Sequence, residues 1–363
     1  MLLIGLIGFF VAATIGYVVI RFGHVHAHFS ADHDIDSPQK FHSTPVPRIG
    51  GLPIFVAFLT SLTLGCWLGK ISWTESVLLL ACTLPVFGAG LLEDVTKLVG
   101  PMPRLMASFL SASLGFYLLD GGVFRLDILG VDFLLGYWPV SLLVTMFAVG
   151  GVSHAINIVD GTNGLAGGIS IMIFAALGYV SFQVGDTFLL AVCGAIAGAV
   201  LGFLVWNYPR GLIFAGDGGA YLLGFLIAEV SLLLVKHPEV SPWFPLLLVS
   251  YPVVDTIFAI YRKRVIRGKS PGLPDGLHIH MLVYKRLVSS GGLSWDKNNH
   301  LGRNSRTSPY LWFLTLIAII PAVIFWKQSE ILMIVFALYF LLCGYFYVRI
   351  VKFKTPKFFA RNK

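Results

Sequence analysis

The stretch "NIVDGTNGLAGG", Asn157 to Gly168, sets Asn157, Asp160 and Asn163 among four glycines, between two long apolar runs. A plain hairpin between membrane helices needs few polar residues, although Asn-Gly and Asp-Gly are strong turn formers by themselves. Four other segments hold residue types of comparable reactivity. "KFHSTPVPRIGG" carries His42 and Arg48, and "GLLEDVTKL" carries Glu93, Asp94 and Lys97. "NYPRGLIFAGDGG" brings Asn207, Phe214 and Asp217, and "PDGLHIHML" brings Asp275, His278 and His280. Carboxylate clusters gathered on one membrane face repel one another unless a cation lies between them. Mg2+ is the natural partner, because it takes one or two carboxylates and completes its shell with phosphate. Glycines let backbone N–H groups approach phosphate oxygens, and His, Arg and Lys add charge-assisted donors. Taken singly, each segment has a plainer reading: an interfacial charge cluster, a tight turn, a helix N-cap at Asp217, a surface histidine pair, a rigid helix entry. Their convergence on one face argues for phosphoryl-type transfer at a membrane surface.

That convergence depends on how the chain crosses the membrane. Its 363 residues are 56% hydrophobic and 12% charged, with a mean hydropathy of +0.82. The composition excludes an ordinary soluble enzyme and predicts an all-α polytopic membrane protein, a single integral domain over 1–363. Apolar runs near twenty residues predict about eleven spans: 1–20, 49–69, 74–92, 105–119, 139–157, 164–184, 187–207, 218–236, 242–261, 308–326 and 330–350. With loops assigned to alternate sides, 22 of the 26 basic residues fall on one side and only Lys70, Arg125, Lys236 and Lys327 on the other. The positive-inside rule makes the basic side cytoplasmic, which puts the N-terminus outside and the C-terminus inside. The long basic loop 262–307, the basic tail 351–363 and all five polar segments are then cytoplasmic. The net charge of +8 therefore reports topology rather than nucleic-acid binding. The first twenty residues lack a basic leader region and read as a retained helix. Cys66, Cys82, Cys193 and Cys343 lie in apolar runs and read as packing residues. Alternating residues over 120–138 predict a small outer hairpin, and Pro245 and Pro252 predict a bend in the ninth span.

The order and spacing of the five segments, from about His42 to His280, resemble the polyprenyl-phosphate N-acetylhexosamine-1-phosphate transferases (glycosyltransferase family 4). "NIVDGTNGLAGG" and "IFAGDGG" are the most specific parts of the resemblance, with "PDGLHIH" next. "VPRIGG" points to the branch that initiates O-antigen and teichoic-acid synthesis from simple nucleotide-activated amino sugars. The resemblance implies a UDP-N-acetylhexosamine donor, an undecaprenyl phosphate acceptor, released UMP, and Mg2+ with Mn2+ as its substitute. It implies residence in the bacterial cytoplasmic (inner) membrane, with a homodimer as a possible assembly. By the same resemblance Asp217 is the principal metal ligand, and Asp160 and Asn157 position the metal or the nucleotide. Asp94, with Glu93, contacts the lipid phosphate; His278 and His280 hold the diphosphate; Asn207 and Phe214 face the uracil end. His42, Arg48, Lys97 and Asn163 complete the substrate-binding set. Two positions depart from the family pattern: Glu93 stands where an Asp is usual, and Asn163 replaces the second Asp of "DGxDGL".

Other readings stay open at this level. A transporter would spread acids through its spans, whereas here they gather at one face. A CDP-alcohol phosphotransferase needs a D-G-x-x-A-R run, and "DGTNGLAGG" lacks the Arg. Asp255, inside the ninth span, reads as a residue that pairs helices or supports a neighbour. Glu229 reads as packed or paired near the midplane, and His24, His26, His28 and His33 as a solvated juxtamembrane run.

Overall fold

A computed structural model describes residues 1–25, 46–266, 268, 277–288 and 300–352, and no β-strand forms among them. The helices are α1 (Leu2–Arg21), α2 (Gly51–Trp67), α3 (Trp73–Thr96), α4 (Pro101–Leu118), α5 (Val131–Leu135), α6 (Trp138–Val159) and α7 (Leu165–Gln183). They continue as α8 (Thr187–Asn207), α9 (Gly216–Val235), α10 (Trp243–Leu248), α11 (Ser250–Tyr261), α12 (Ile279–Leu282), α13 (His300–Ile324) and α14 (Ser329–Val351). Local sequence fixes several starts. The Ser72 side chain accepts from Glu75 N at the head of α3, and Asp186 Oδ1 accepts from Leu189 N at the head of α8. Pro101 opens α4, where its missing N–H costs nothing.

Among the described residues, eight helices are long and apolar enough to cross a membrane, namely α1, α3, α6, α7, α8, α9, α13 and α14. The other three expected spans differ. Helix α2 has 17 residues, and α4 carries Arg104 in its first turn. The ninth span is divided into α10 and α11 at Val249, where Pro252 has no N–H to offer Leu248. The expected outer hairpin is also absent. Residues 120–130 are irregular and lead into the short α5, because side chains meet their backbone groups. Val123 N donates to Thr145 Oγ1 at 2.9 Å and Leu126 N to Asp132 Oδ1 at 2.7 Å. Arg125 donates to the carbonyls of Val235, His237 and Pro238 at and just past the C-terminal end of α9.

The bundle is built round α9, which packs against α2, α3, α4, α6, α7 and α8. Every α9 residue except Leu232 and Val235 is buried. Helices α1 and α14 lie at the periphery and bury few of their residues. Helix association in lipid gains little from apolar burial and depends on close van der Waals approach. The seam between α1 and α8 uses that route. Gly198 faces the Gly5 carbonyl and Gly202 the Phe9 carbonyl, so a Cβ at either would strike backbone. Gly194, one turn earlier on α8, has open space where its Cβ would lie.

The pair of glycines supplies a test of this packing. Gly198→Ala should destabilise the protein by about 1–3 kcal/mol through overpacking, and Gly194→Ala should stay within about 0.5 kcal/mol. Thermal unfolding in detergent reads the difference; equal melting temperatures would show that α1 does not seat on α8 in this register.

Candidate functional site

The first turn of a helix exposes N–H groups with no partner inside the helix. At α9 a side chain from another helix meets two of them. Asp94, near the end of α3 and 1% exposed, accepts from Asp217 N and from Gly218 N, each at 2.8 Å. A carboxylate there also suits the positive end of the helix dipole. The contact needs two backbones nearly touching, because a Cβ at Gly90 would lie 2.7 Å from Gly218 Cα. Gly216 has φ +70 and a backbone pressed against the Arg48 carbonyl, a placement open only to glycine. The glycines of "AGDGG" therefore serve close approach. The neighbours of Asp94 turn to other work. Glu93 Oε2 accepts from Val99 N at 2.8 Å, and Lys97 Nζ donates to the Asp94 carbonyl at 2.9 Å, closing the turn into α4.

With its own N–H bound by Asp94, Asp217 directs its carboxylate into a ring of donors. Asn157 Nδ2 donates to Oδ1 at 2.9 Å, Arg48 Nη2 stands 3.6 Å from the same oxygen, and Arg104 pairs with Oδ2. Sequence reasoning counted Arg104 only as a basic loop residue. Its place in the first turn of α4, beside "GLLEDVTKL", was the available signal. The guanidinium also lies 5.7 Å from the centre of the Tyr221 ring, and the Tyr221 hydroxyl lies 2.9 Å from His154 Nδ1. Tyr221 follows Asp217 by four residues, so one face of α9 presents both. Neither Tyr221 nor His154 was anticipated from the sequence.

Asp160 caps the end of α6. Burial pushes its carboxyl up to about 7, against the pull of the Arg48 guanidinium. Beside it the histidine segment docks on Asp255. Ile279 N donates to Asp255 Oδ1 at 2.9 Å, and Oδ2 lies 3.3 Å from His278 Nδ1 and 3.8 Å from His280 Nδ1. The two imidazoles stack with centres 5.6 Å apart. Burial lowers the His280 pKa, with the Asp255 carboxylate opposing. His280 rests on Gly161, where a Cβ would come 2.5 Å from its Nε2. Asp255 thus joins the histidine segment to the "DGTNG" loop.

Asn207 and Asn163 are committed to holding loops. Asn207 Oδ1 accepts from Gly164 N at 2.7 Å, and its Nδ2 donates to the Ile213 carbonyl at 2.8 Å. Asn163 Nδ2 donates to the Pro209 carbonyl at 3.1 Å. The Phe214 backbone ties the loop before α9 to the entry of α2, donating to Pro47 O and accepting from Gly50 N. Arg48, Asp94, Asn157 and Asp217 are therefore brought together, Asp160 lies within the field of Arg48, and the two histidines sit on Asp255 beside Gly161, while Glu93, Lys97, Asn163 and Asn207 hold the surrounding turns and loops. His42 and Asp275 lie outside the described residues. Glu229 is fully buried far along α9, against Gly115 and Gly121.

Comparison with known proteins covers this same region. The family model for glycosyl transferase family 4 matches residues 76–235. The undecaprenyl-phosphate alpha-N-acetylglucosaminyl 1-phosphate transferase of Escherichia coli (strain K12) is 30% identical over 267 residues, 69% of each chain. A probable undecaprenyl-phosphate N-acetylglucosaminyl 1-phosphate transferase of Bacillus subtilis (strain 168) is 29% identical over 254 residues, 68% of each chain.

The setting of Asn163 adds a stability cost to one substitution. The family pattern predicts that Asn163→Asp, which restores its usual residue, harms UMP release much less than Asp160→Asn does. In the folded protein Asn163→Asp removes a buried donor and turns a carboxylate oxygen toward the Pro209 carbonyl. Leaving a buried polar group unmatched costs about 1–3 kcal/mol. The Asn163→Asp protein should melt lower than the parent in detergent, and an equal or higher melting temperature would show that the amide contact is dispensable.

Proposed function

The chain belongs to glycosyl transferase family 4, and on that premise we propose that it transfers an N-acetylhexosamine 1-phosphate from a UDP-sugar to undecaprenyl phosphate. The products are UMP and a lipid-diphospho-sugar that starts a cell-envelope polysaccharide. A lipid phosphate oxygen forms a bond to the sugar-bearing phosphorus, and the bond from that phosphorus to the UMP oxygen breaks. One phosphoanhydride replaces another, so no outside energy source is needed. The carrying observation is the Asp217 carboxylate at the head of α9, ringed by Asn157, Arg48 and Arg104.

The difficulty of the reaction is that an anion must attack an anion. Arg48 and Arg104 supply fixed positive charge beside the reacting phosphates, and His278 and His280 supply donors for the diphosphate. Asp217, with Asp160 and the Asn157 amide oxygen, would offer oxygen donors of the kind that suit Mg2+. Among the described residues no group of three or more His, Cys, Asp or Glu converges on one point. Substrate phosphate and water would therefore complete the coordination, as is usual for this ion. When bound, the ion neutralises phosphate oxygens and favours in-line displacement. A phosphate monoester is largely ionised near pH 7, so the acceptor needs no general base. Eleven crossings, an outside N-terminus and the bacterial inner membrane complete the reading; the 22-to-4 division of basic residues supports the orientation.

Asp217→Asn keeps the shape of the side chain and removes its charge. Losing a charge-assisted contact costs about 1.5–3 kcal/mol, or roughly 10- to 150-fold in rate. UMP release, measured with undecaprenyl phosphate and a panel of UDP-sugars, should fall at least that far for Asp217→Asn and for Asp160→Asn. Near-parental turnover of Asp217→Asn at millimolar Mg2+ would remove Asp217 from the reaction. The orientation has its own test. A cysteine introduced at Arg264 should react with a membrane-impermeant reagent only after the cytoplasmic side is opened, and one at Leu129 should react from outside. The opposite pattern would overturn the topology.

A further inference from the structure

Residues 160–164 make few regular backbone bonds of their own, so side chains from elsewhere must set their shape. The first turns of α13 supply them. This helix starts at His300, eight residues before the span expected from hydropathy, and the polar run "NSRTSP", 304–309, crosses from the added turns into that span. Asn304 Oδ1 accepts from Asn163 N at 2.8 Å, and Ser308 Oγ donates to Asn163 O at 2.6 Å. The Ser308 and Thr162 hydroxyls lie 3.2 Å apart. Trp312 Nε1 donates to the Gly164 carbonyl at 3.2 Å. Asn304, Ser308 and Trp312 recur every four residues, so they form one stripe along the helix. Asn304, Ser308, Thr162 and Asn163 are all buried, and a buried amide left without a partner is costly. The stripe lies beyond residue 235, where the family-model match ends.

We propose that Asn304, Ser308 and Trp312 are positioning residues for the transfer, gripping the backbone of Asn163 and Gly164 so that Asp160 and Asn157 face Asp217. The inference rests on the transferase reading given above. Both backbone groups of Asn163 are taken by α13 while its amide holds Pro209, so the loop is pinned from two sides. Asp160 lies three residues before Asn163, and Asn157 lies one helical turn before that. A shift in the pinned end therefore moves the groups that meet Asp217. Misplacement on the order of 1 Å can cost about 100-fold in rate without loss of binding.

The test uses the full chain in nanodiscs with Asn304→Ala, Ser308→Ala and the conservative Ser308→Thr. Asn304→Ala and Ser308→Ala should lower kcat about 10- to 100-fold with little change in KM for the UDP-sugar. Ser308→Thr, which keeps the hydroxyl, should restore most of the rate. Amide hydrogen exchange over 157–168 should quicken in both alanine variants while exchange in α9 stays at the parental level. Unchanged kcat would overturn the proposal. So would activity lost only in step with a lower melting temperature, with the 157–168 segment still protected. If the parent releases no UMP from any lipid and sugar-nucleotide pair, the transferase reading fails instead, and the exchange measurement still decides whether α13 holds the loop.

Discussion

The site hangs on one contact, the Asp94 carboxylate across the two free N–H groups at the head of α9. It joins the end of one membrane helix to the start of another, where the first N–H groups of α9 have no partner within their own helix. Asp217 is the residue whose N–H is bound, so the contact that seats α9 also aims the carboxylate proposed as the main anionic ligand. Gly90 and Gly216 are consequences of it, since a side chain at Gly90 would strike the α9 backbone and one at Gly216 would strike the Arg48 carbonyl and the Asp94 carboxylate itself. The loops then assemble round a fixed point: 157–160 through Asn157, the α4 start through Arg104, and the α2 entry through Arg48.

Much of this was legible in the sequence because membrane proteins advertise their exceptions. A carboxylate beside hydrocarbon is expensive, so Asp94, Asp160 and Asp217 stood out from apolar surroundings. Which of two adjacent acids would turn inward was not legible. Glu93 and Asp94 are neighbours in sequence, yet the helix rotates them about 100° apart, and one serves a turn while the other serves α9. Arg104 was hidden for a related reason. Its charge was read as a topology signal, and an arginine carries no mark in the sequence to separate that role from a site contact.

Loop roles were harder still. The family resemblance assigns Asn207 and Asn163 to the substrate. In the structure their amides satisfy the carbonyls and N–H groups of irregular backbone, a need that hydropathy does not display. The start of α13 was read as loop because its residues are polar, although a helix that enters a protein-lined site has no need to be apolar there. The ninth span was legible in its prolines but not in the place of its break, which depends on where neighbours leave room.

The burial of α9 also bears on how this chain can vary. Most membrane helices keep a stripe facing lipid, where one apolar residue can replace another freely; α14 is such a helix. On α9 only Leu232 and Val235 escape burial, so almost no position is free to drift. Substitutions along it cannot be absorbed by the bilayer and must be answered by a second change on a neighbouring helix. Because its first turn carries Asp217, an unanswered change deep in the bundle would be felt as a displaced carboxylate at the surface. Natural variation should therefore pair α9 with its six packing partners, and an isolated α9 substitution should be among the least tolerated anywhere in the protein.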